Sequence, residues 1–471
     1  MKNLRLCLTF IFLIAFSTAN LFSAEYIILG WNDLGMHCAN KNFSAFAILP
    51  PYNNLNAQVI KVGNENTMPK LITTDVTVQY SIPGNTYSVG KTDFWTYANT
   101  LFGVTLADNI GLKGNGLSGN MTVVTDRFNV EGVPLTPYPD DDLVKEHPYQ
   151  LGLFKLLDLS NNILATTQNV VPVSNEISCV SSGCHSSEKG IVNSHESVHN
   201  LDKTKPVLCA QCHADNALGK PGNGSVASLS YIIHNKHKNR TSDCYKCHPG
   251  KNTQCFRDIM FSKGKVCTDC HGTIANVAST IQSGRRPWLD EPKCATSGCH
   301  LTRYAEETGK LFRESKGHGG LYCSACHGSP HAITPTVIDG DNAQNLALQG
   351  FAGPLKDCKV CHGVNPTGKG PHGLTAVDVQ NPELSYNAFN LNPNPVVGNA
   401  KIYLNIAQPA EISIELVNIL GINVNTIASN QFYFAGQYTF STDLSNLADG
   451  MYYLVMKYNN KTKIEKVIVR H

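Results

Sequence analysis

The sequence predicts a multidomain protein. An all-β, sandwich-like N-terminal domain is followed by a middle region of short helices and much irregular structure, and then by a small C-terminal β-sandwich. Three observations carry this fold class. TDVTVQYSI (74–82), NMTVVTDRFNV (120–130) and QLGLFKLLDL (150–159) alternate apolar and polar residues between turn signals such as PGN and SNN, as half-buried strands do. Roughly the last 80 residues give about seven more short strands of the same kind. From Cys179 to His372, by contrast, only 33 of 194 residues are Leu, Ile, Val or Phe, a content at which a chain lacking a cofactor stays disordered.

Taken in order, Lys2 and Arg5 precede an apolar run from Leu6 to Phe16, and small residues follow at Ser17 and Ala19. This is the pattern of an export signal over residues 1–24, cleaved after Ala19 or Ala24. Cys7 sits early in that run rather than at its end, so no lipid anchor is expected. No later segment has about 18 consecutive apolar residues, and no transmembrane helix is expected. A net charge of +2 gives no sign of nucleic-acid binding.

Residues 25–178 make the β-rich domain. Met36, His37 and Cys38 are either metal or axial ligands or, more ordinarily, part of a packed hairpin. Asp140 to Asp142 read as a calcium ligand set or, again more ordinarily, as a solvated acidic loop.

The middle region, 179–375, carries the chemistry. C-x-x-C-H occurs five times: Cys209-Cys212-His213, Cys244-Cys247-His248, Cys267-Cys270-His271, Cys323-Cys326-His327 and Cys358-Cys361-His362. This is the haem c attachment signature: two thiols add to the two vinyl groups of one haem, and the adjoining histidine becomes the proximal iron ligand. Cys179-Cys184-His185 and Cys294-Cys299-His300 keep the second cysteine beside the histidine but lengthen the spacer to four residues, with Gly183 and Gly298 easing the loop. These two resemble the C-x4-C-H variants of multihaem cytochromes, which makes seven haem c groups, numbered I to VII in chain order. Structural zinc is the main alternative, but a zinc site does not require histidine directly after the second cysteine each time. A thioredoxin-like motif would need a βαβ context.

Seven histidines are thereby proximal. Seven more lie in the same region, His195, His199, His234, His237, His318, His331 and His372, while His37, His147 and His471 lie in the flanks. The matching count predicts two imidazoles on every iron. His195 and His199 would share a face if SHESVHN is helical, as would His234 and His237 in IIHNKHKN. His331 follows His327 too closely to reach the far face of the same ring and is expected on a neighbouring haem. No spare histidine lies between Cys244 and Cys299, so motifs III to V must borrow ligands and the haems must pack into one array that supplies the missing apolar core. The region's 22 Lys and Arg against 15 Asp and Glu offset haem propionates or simply make a solvated surface. Cys38 and Cys255 remain, as one disulfide or as two free thiols.

Residues 376–395, rich in Asn and Pro, read as a linker to the C-terminal domain at 396–471. Pro393-Asn394-Pro395, Gly436-Gln437-Tyr438, Asp443-Leu444-Ser445, Leu447 to Tyr452 and the closing lysines before VIV resemble the type A sorting domain of the type IX secretion system. That resemblance implies outer-membrane crossing, removal of the tail, and release or surface attachment; an immunoglobulin-like adhesion domain is the alternative. YIILGWNDLGMHCANKNF and the residues after it resemble the N-terminal region of some exported bacterial multihaem cytochromes. The function expected is electron transfer, outside the cell or at its surface, through bis-histidine haems with no catalytic residue. Expected partners are other cytochromes or outer-membrane conduits, a mineral or soluble acceptor, the secretion machinery, and further copies in an oligomer or filament. A multihaem oxidoreductase acting on a small nitrogen or sulfur compound is the second reading, since CHGSPHA resembles such reductases, although no C-x-x-C-K site is present. A structural or adhesive surface protein with haem as core filler is the third.

Overall fold

The computed structural model describes residues 25–195, 201–250, 252–295, 299–300, 304–373, 389–406, 410–433, 436–458 and 461–471. The expected export signal, His199, Gly298 and most of the expected linker lie outside the described residues.

The N-terminal domain is a sandwich, as the alternation predicts. One sheet is built on β1 (Tyr26–Asn32), β4 (Asn53–Lys61), β9 (Arg127–Val133) and β8 (Thr122–Val124), with β5 (Lys70–Ile72) also on β4. The other runs β2 (His37–Cys38), β11 (Ile163–Ser174), β10 (Tyr149–Leu157), β6 (Thr77–Ser81) and β7 (Ser118–Asn120). Ile28, Leu55, Val59 and Phe128 of the first sheet meet Val78, Tyr80, Phe154, Leu156 and Val171 of the second in one buried core. Only one residue in two of β6 points inward. Strand β1 is instead buried on both faces: Ile27, Leu29 and Trp31 turn outward from the sandwich and pack on Tyr322 and Ala325 of the middle region.

TDFWTYANTLF, read only as part of the β-rich domain, contains helix α1 (Phe94–Phe102). Phe94, Ala98 and Leu101 recur at helical spacing on its buried side, and the left-handed Gly103 ends it. The helix shares a core with Phe43, Ala47, Leu208 and Ala210, where β3 (Phe46–Ala47) pairs in parallel with β12 (Val207–Leu208). The middle region is thus strapped to the sandwich just before Cys209.

That region has short helices joined by irregular chain: α2 (Glu188–Asn193), α3 (Leu229–His237), α4 (Ile259–Ser262), α5 (Cys267–His271), α6 (Ile274–Gln282), α7 (Cys323–His327), α8 (Asp339–Gln349) and α9 (Lys359–His362). Helix α8 packs on β10 and β11 through polar residues: Asp341, Asn342, Gln344 and Asn345 are all buried. Each has its partners. Gln344 Oε1 accepts from Gly30 N and Thr167 Oγ1, Asn345 Nδ2 donates to the Cys326 carbonyl, and Asp341 forms a two-pronged ion pair with Arg257.

Asp258 caps α4 by accepting from Met260 N and Phe261 N at 2.8 and 3.1 Å, while its Oδ2 is buried and has no hydrogen-bond partner among the described residues. Burial pushes its carboxyl up to about 6. An acid whose folded pKa exceeds its unfolded value holds an extra proton when folded. Stability is therefore lost as pH rises from about 4 to about 6, by about 2–3 kcal/mol for this group, and stays lost above that. Urea midpoints measured across this window should fall for the native chain and fall less for Asp258→Asn; parallel profiles would show that Asp258 does not titrate this way.

The C-terminal domain is a second sandwich, of β13 (Phe389–Asn392), β14 (Asn399–Ile406) and β17 (Gly436–Asp443) against β16 (Asn423–Tyr433), β15 (Ala410–Asn418), β18 (Gly450–Tyr458) and β19 (Lys461–Val469). Its first strand corrects the boundary expected at 396, because Phe389 and Leu391 are buried and pair with β14. Two apolar residues among Asn and Pro read as linker, yet their spacing of two puts both on the core face.

Candidate functional site

A C-x-x-C-H segment wound into a single turn brings positions i, i+3 and i+4 to one face, so both thiols and the imidazole point the same way. The chain does this locally. The carbonyl of the first cysteine accepts from the motif histidine N–H at Cys209–His213 (3.0 Å), Cys244–His248 (2.9 Å) and Cys358–His362 (2.9 Å), and the motifs of Cys267 and Cys323 are the short helices α5 and α7. In motif I the same closing bond forms across the longer spacer, from His185 N to the Cys179 carbonyl at 3.2 Å. Gly183, at φ +77 with nothing near its missing Cβ, lets the extra residues loop out. Of motif V, Cys294, Cys299 and His300 are described; Gly298 is not.

Six proximal histidines each face one spare histidine. The ring centres are 6.0 Å apart for His185–His237, 6.3 Å for His195–His213, 6.1 Å for His234–His248, 6.1 Å for His271–His331, 6.0 Å for His318–His362 and 5.8 Å for His327–His372. A metal–imidazole bond of about 2.0 Å plus about 1.1 Å from ring nitrogen to ring centre, counted on both sides, gives about 6.2 Å for two imidazoles on one ion. Imidazoles in direct contact have no reason to adopt that one spacing six times. The angles between ring planes range from 28° to 69°, as rotation about a shared axis allows.

The nitrogen that three of these rings would present is also set. His213, His234 and His237 offer Nδ1–H to the carbonyls of Ala227, Ser230 and Ile233 at 2.7, 2.6 and 2.7 Å, which leaves Nε2 as the lone-pair nitrogen. Burial pushes His248, His327 and His331 down to about 4 and lowers His234, His271 and His362, so these rings are neutral at pH 7 and able to ligate. His331 and His372 lie at φ +65 and +56, the left-handed region that few non-glycine residues occupy and that gathers at functional positions.

Among the described residues no three His, Cys, Asp or Glu side chains converge as a tetrahedral zinc site requires. What the chain offers instead is imidazoles set in pairs, so a metal ion held between them would need further ligands from outside these side chains. The hydrophobic clusters agree with a region needing that help: each cluster that includes middle-region residues is anchored on residues of the N-terminal domain.

Six of the seven expected distal residues are therefore each brought against a motif histidine, with one correction. His195 does not lie on a helix with its neighbour, because α2 ends at Asn193, and it faces His213 from irregular chain. His199 lies outside the described residues, and His300 and His199 are the two ligands left by the count. His234 and His237 do share α3, and His331 does face a ring other than that of His327. His37 is not on an axis with another imidazole: it is buried and bonded to Asp33 at 2.8 Å. Asp140 holds Lys91 and Thr86, and Asp142 caps Val144 and Lys145 and meets His147, so the acidic loop is tied up internally. Cys38 and Cys255 are free thiols whose charges would act on each other, and burial drives both upward. The positioning residues Arg257, Asp341, Gln344 and Asn345 escaped sequence reasoning, since DNAQN looks like a solvated surface.

Residues 390–470 match the secretion system C-terminal sorting domain family. No curated protein matches the chain at a significant level. The sorting domain marks the protein for export by the type IX machinery, to the cell surface or beyond it. Among the described residues no helix is long and apolar enough to cross a membrane.

Proposed function

We propose that the chain is an exported multihaem c-type cytochrome that passes electrons between a redox partner at the outer membrane and an external acceptor or donor, such as another cytochrome, a soluble shuttle or a mineral. Haem c supplies a one-electron iron couple when bound. The chain's own residues do the rest. The paired thiols of Cys179/Cys184, Cys209/Cys212, Cys244/Cys247, Cys267/Cys270, Cys294/Cys299, Cys323/Cys326 and Cys358/Cys361 anchor each ring, and the adjoining histidines take one axial side. The spare histidines take the other side; carbonyls fix Nδ1 of His234 and His237, and burial lowers His234 and His331. With imidazole on both sides there is no open position for a substrate, and this favours a carrier over a catalyst. Haem, not a protein side chain, would complete the core of residues 179–375.

The six imidazole pairs at 5.8–6.3 Å carry this reading. Its test is the mass and spectrum of the matured protein. Seven covalent haem increments, a low-spin spectrum and no carbon monoxide binding after reduction are expected from the seven motifs. A bare polypeptide mass, or zinc in place of iron, would end the proposal. Strong carbon monoxide binding would instead move it to the small-molecule oxidoreductase.

A further inference from the structure

The ligand pairs also fix which haem sites are neighbours, an order that does not follow the chain. Helix α3 supplies His237 to His185 of motif I and His234 to His248 of motif III, so these two sites flank one helix with ligands three residues apart. Helix α2 begins just after His185, and His195, two residues past its end, faces His213; a ten-residue step thus joins sites I and II. Helix α3 also packs against α6, which starts three residues after His271 of motif IV.

His331, facing His271, is four residues from His327, which faces His372, so sites IV and VI are adjacent. His318 stands five residues before Cys323 of motif VI yet faces His362 of motif VII. Leu355, just before motif VII, donates its N–H to the Cys326 carbonyl at 2.9 Å. Motif V stands to the side. The chain leading into it is held by Arg313, which pairs with Glu291 and donates to the Trp288 carbonyl, while Cys294 N donates to Glu306. That hairpin joins motif VI where Cys323 N meets the Ser315 carbonyl at 2.9 Å.

Resting on the proposed haem ligation, we infer that the axial pairs form one line in the order II, I, III, IV, VI, VII, with motif V a branch beside IV and VI. Sites II and VII are then the two ends, and redox partners dock there. Sites I and III lie inside the line although motif I comes first in the chain.

Iron positions located by anomalous scattering in the intact, matured protein decide the order without any variant. Irons II and VII should be the most distant pair on the line, with I and III neighbours and V nearest IV or VI. Iron I at an end, or V lying between III and IV, would overturn the inference while leaving seven bound haems, and the proposed function, intact. A kinetic test uses a photosensitiser attached at Lys220→Cys, an exposed position beside motif II, and His318→Met to give site VII its own absorption band. Removing the motif III attachment with Cys244→Ala and Cys247→Ala should abolish arrival of the electron at VII. Removing motif V with Cys294→Ala and Cys299→Ala should leave arrival unchanged. Loss in both would show that V is on the line.

Discussion

Replacing Arg257 by alanine should cost the folded protein about 3–5 kcal/mol, the scale for removing one partner of a buried ion pair. Arg257 is 1% exposed, and four of its five guanidinium N–H donors are used: two bonds to Asp341 at 2.6 and 2.9 Å, one to the Gly35 carbonyl at 2.6 Å and one to the Cys255 carbonyl at 3.1 Å. Its plane lies over Tyr149 at 4.5 Å. Alanine would leave the Asp341 carboxylate buried with only Thr336 Oγ1 as a donor, which is why the loss exceeds that of the contacts themselves. Lysine keeps the charge but not the fork, so Arg257→Lys should recover only part of the loss. Arg257→Met with Asp341→Leu should recover more than either single change, because no charge is then stranded. Chemical denaturation of these variants of the matured protein measures this directly, and single variants within about 1 kcal/mol of the native protein would show that the pair carries no such weight.

The same residue joins two parts of the molecule and sets a ligand. Its backbone N–H bonds to the His331 carbonyl at 3.1 Å, and Gly35, held by the guanidinium, packs so closely on Pro330 and His331 that a Cβ there would meet the Pro330 carbonyl. The N-terminal sandwich thereby buttresses His331, a proposed axial ligand of the middle region. Arg257→Ala should therefore raise the high-spin fraction at iron IV in denaturant before global unfolding begins, a change that loss of stability alone does not produce.

What sequence shows here depends on how local the cause is. The local turn of the C-x-x-C-H motifs is legible because cysteine, cysteine and histidine lie at positions i, i+3 and i+4. The strands at 74–82 and 150–159 are legible because a half-buried strand writes its burial as alternation. Pairing is different. Three proximal rings face a histidine that follows them in the chain (His185, His271, His327) and three face one that precedes them (His213, His248, His362), so no rule of spacing recovers the partners. Helix α8 misleads for another reason. Asp341, Asn342, Gln344 and Asn345 can be buried because Arg257, Thr336, Thr167, Gly30 and Cys326 satisfy them, and composition reports only that they are polar. The strand at Phe389–Asn392 is short and set among prolines, and only its partner β14 makes it a strand.

The sharpest consequence of crossed ligation concerns His331. It follows His327 by four residues, so the nearest motif in sequence is VI, but its ring faces His271 of motif IV. Removing it should convert one of the seven haems to a high-spin form that binds carbon monoxide, and that haem should be IV. Glycine is the better replacement, since His331 lies at φ +65, where alanine would bring a strain of about 1 kcal/mol unrelated to the iron. The haem is identified by subtraction. In His331→Gly combined with Cys267→Ala and Cys270→Ala, iron IV is no longer attached and the high-spin signal should vanish. Combined with Cys323→Ala and Cys326→Ala, which detach VI, the signal should remain, and His372→Gly should show the opposite dependence. Ligation by sequence neighbour predicts the reverse for His331, so the two sets of spectra separate a folded array, in which the chain laces each haem to another's segment, from haems strung one after another.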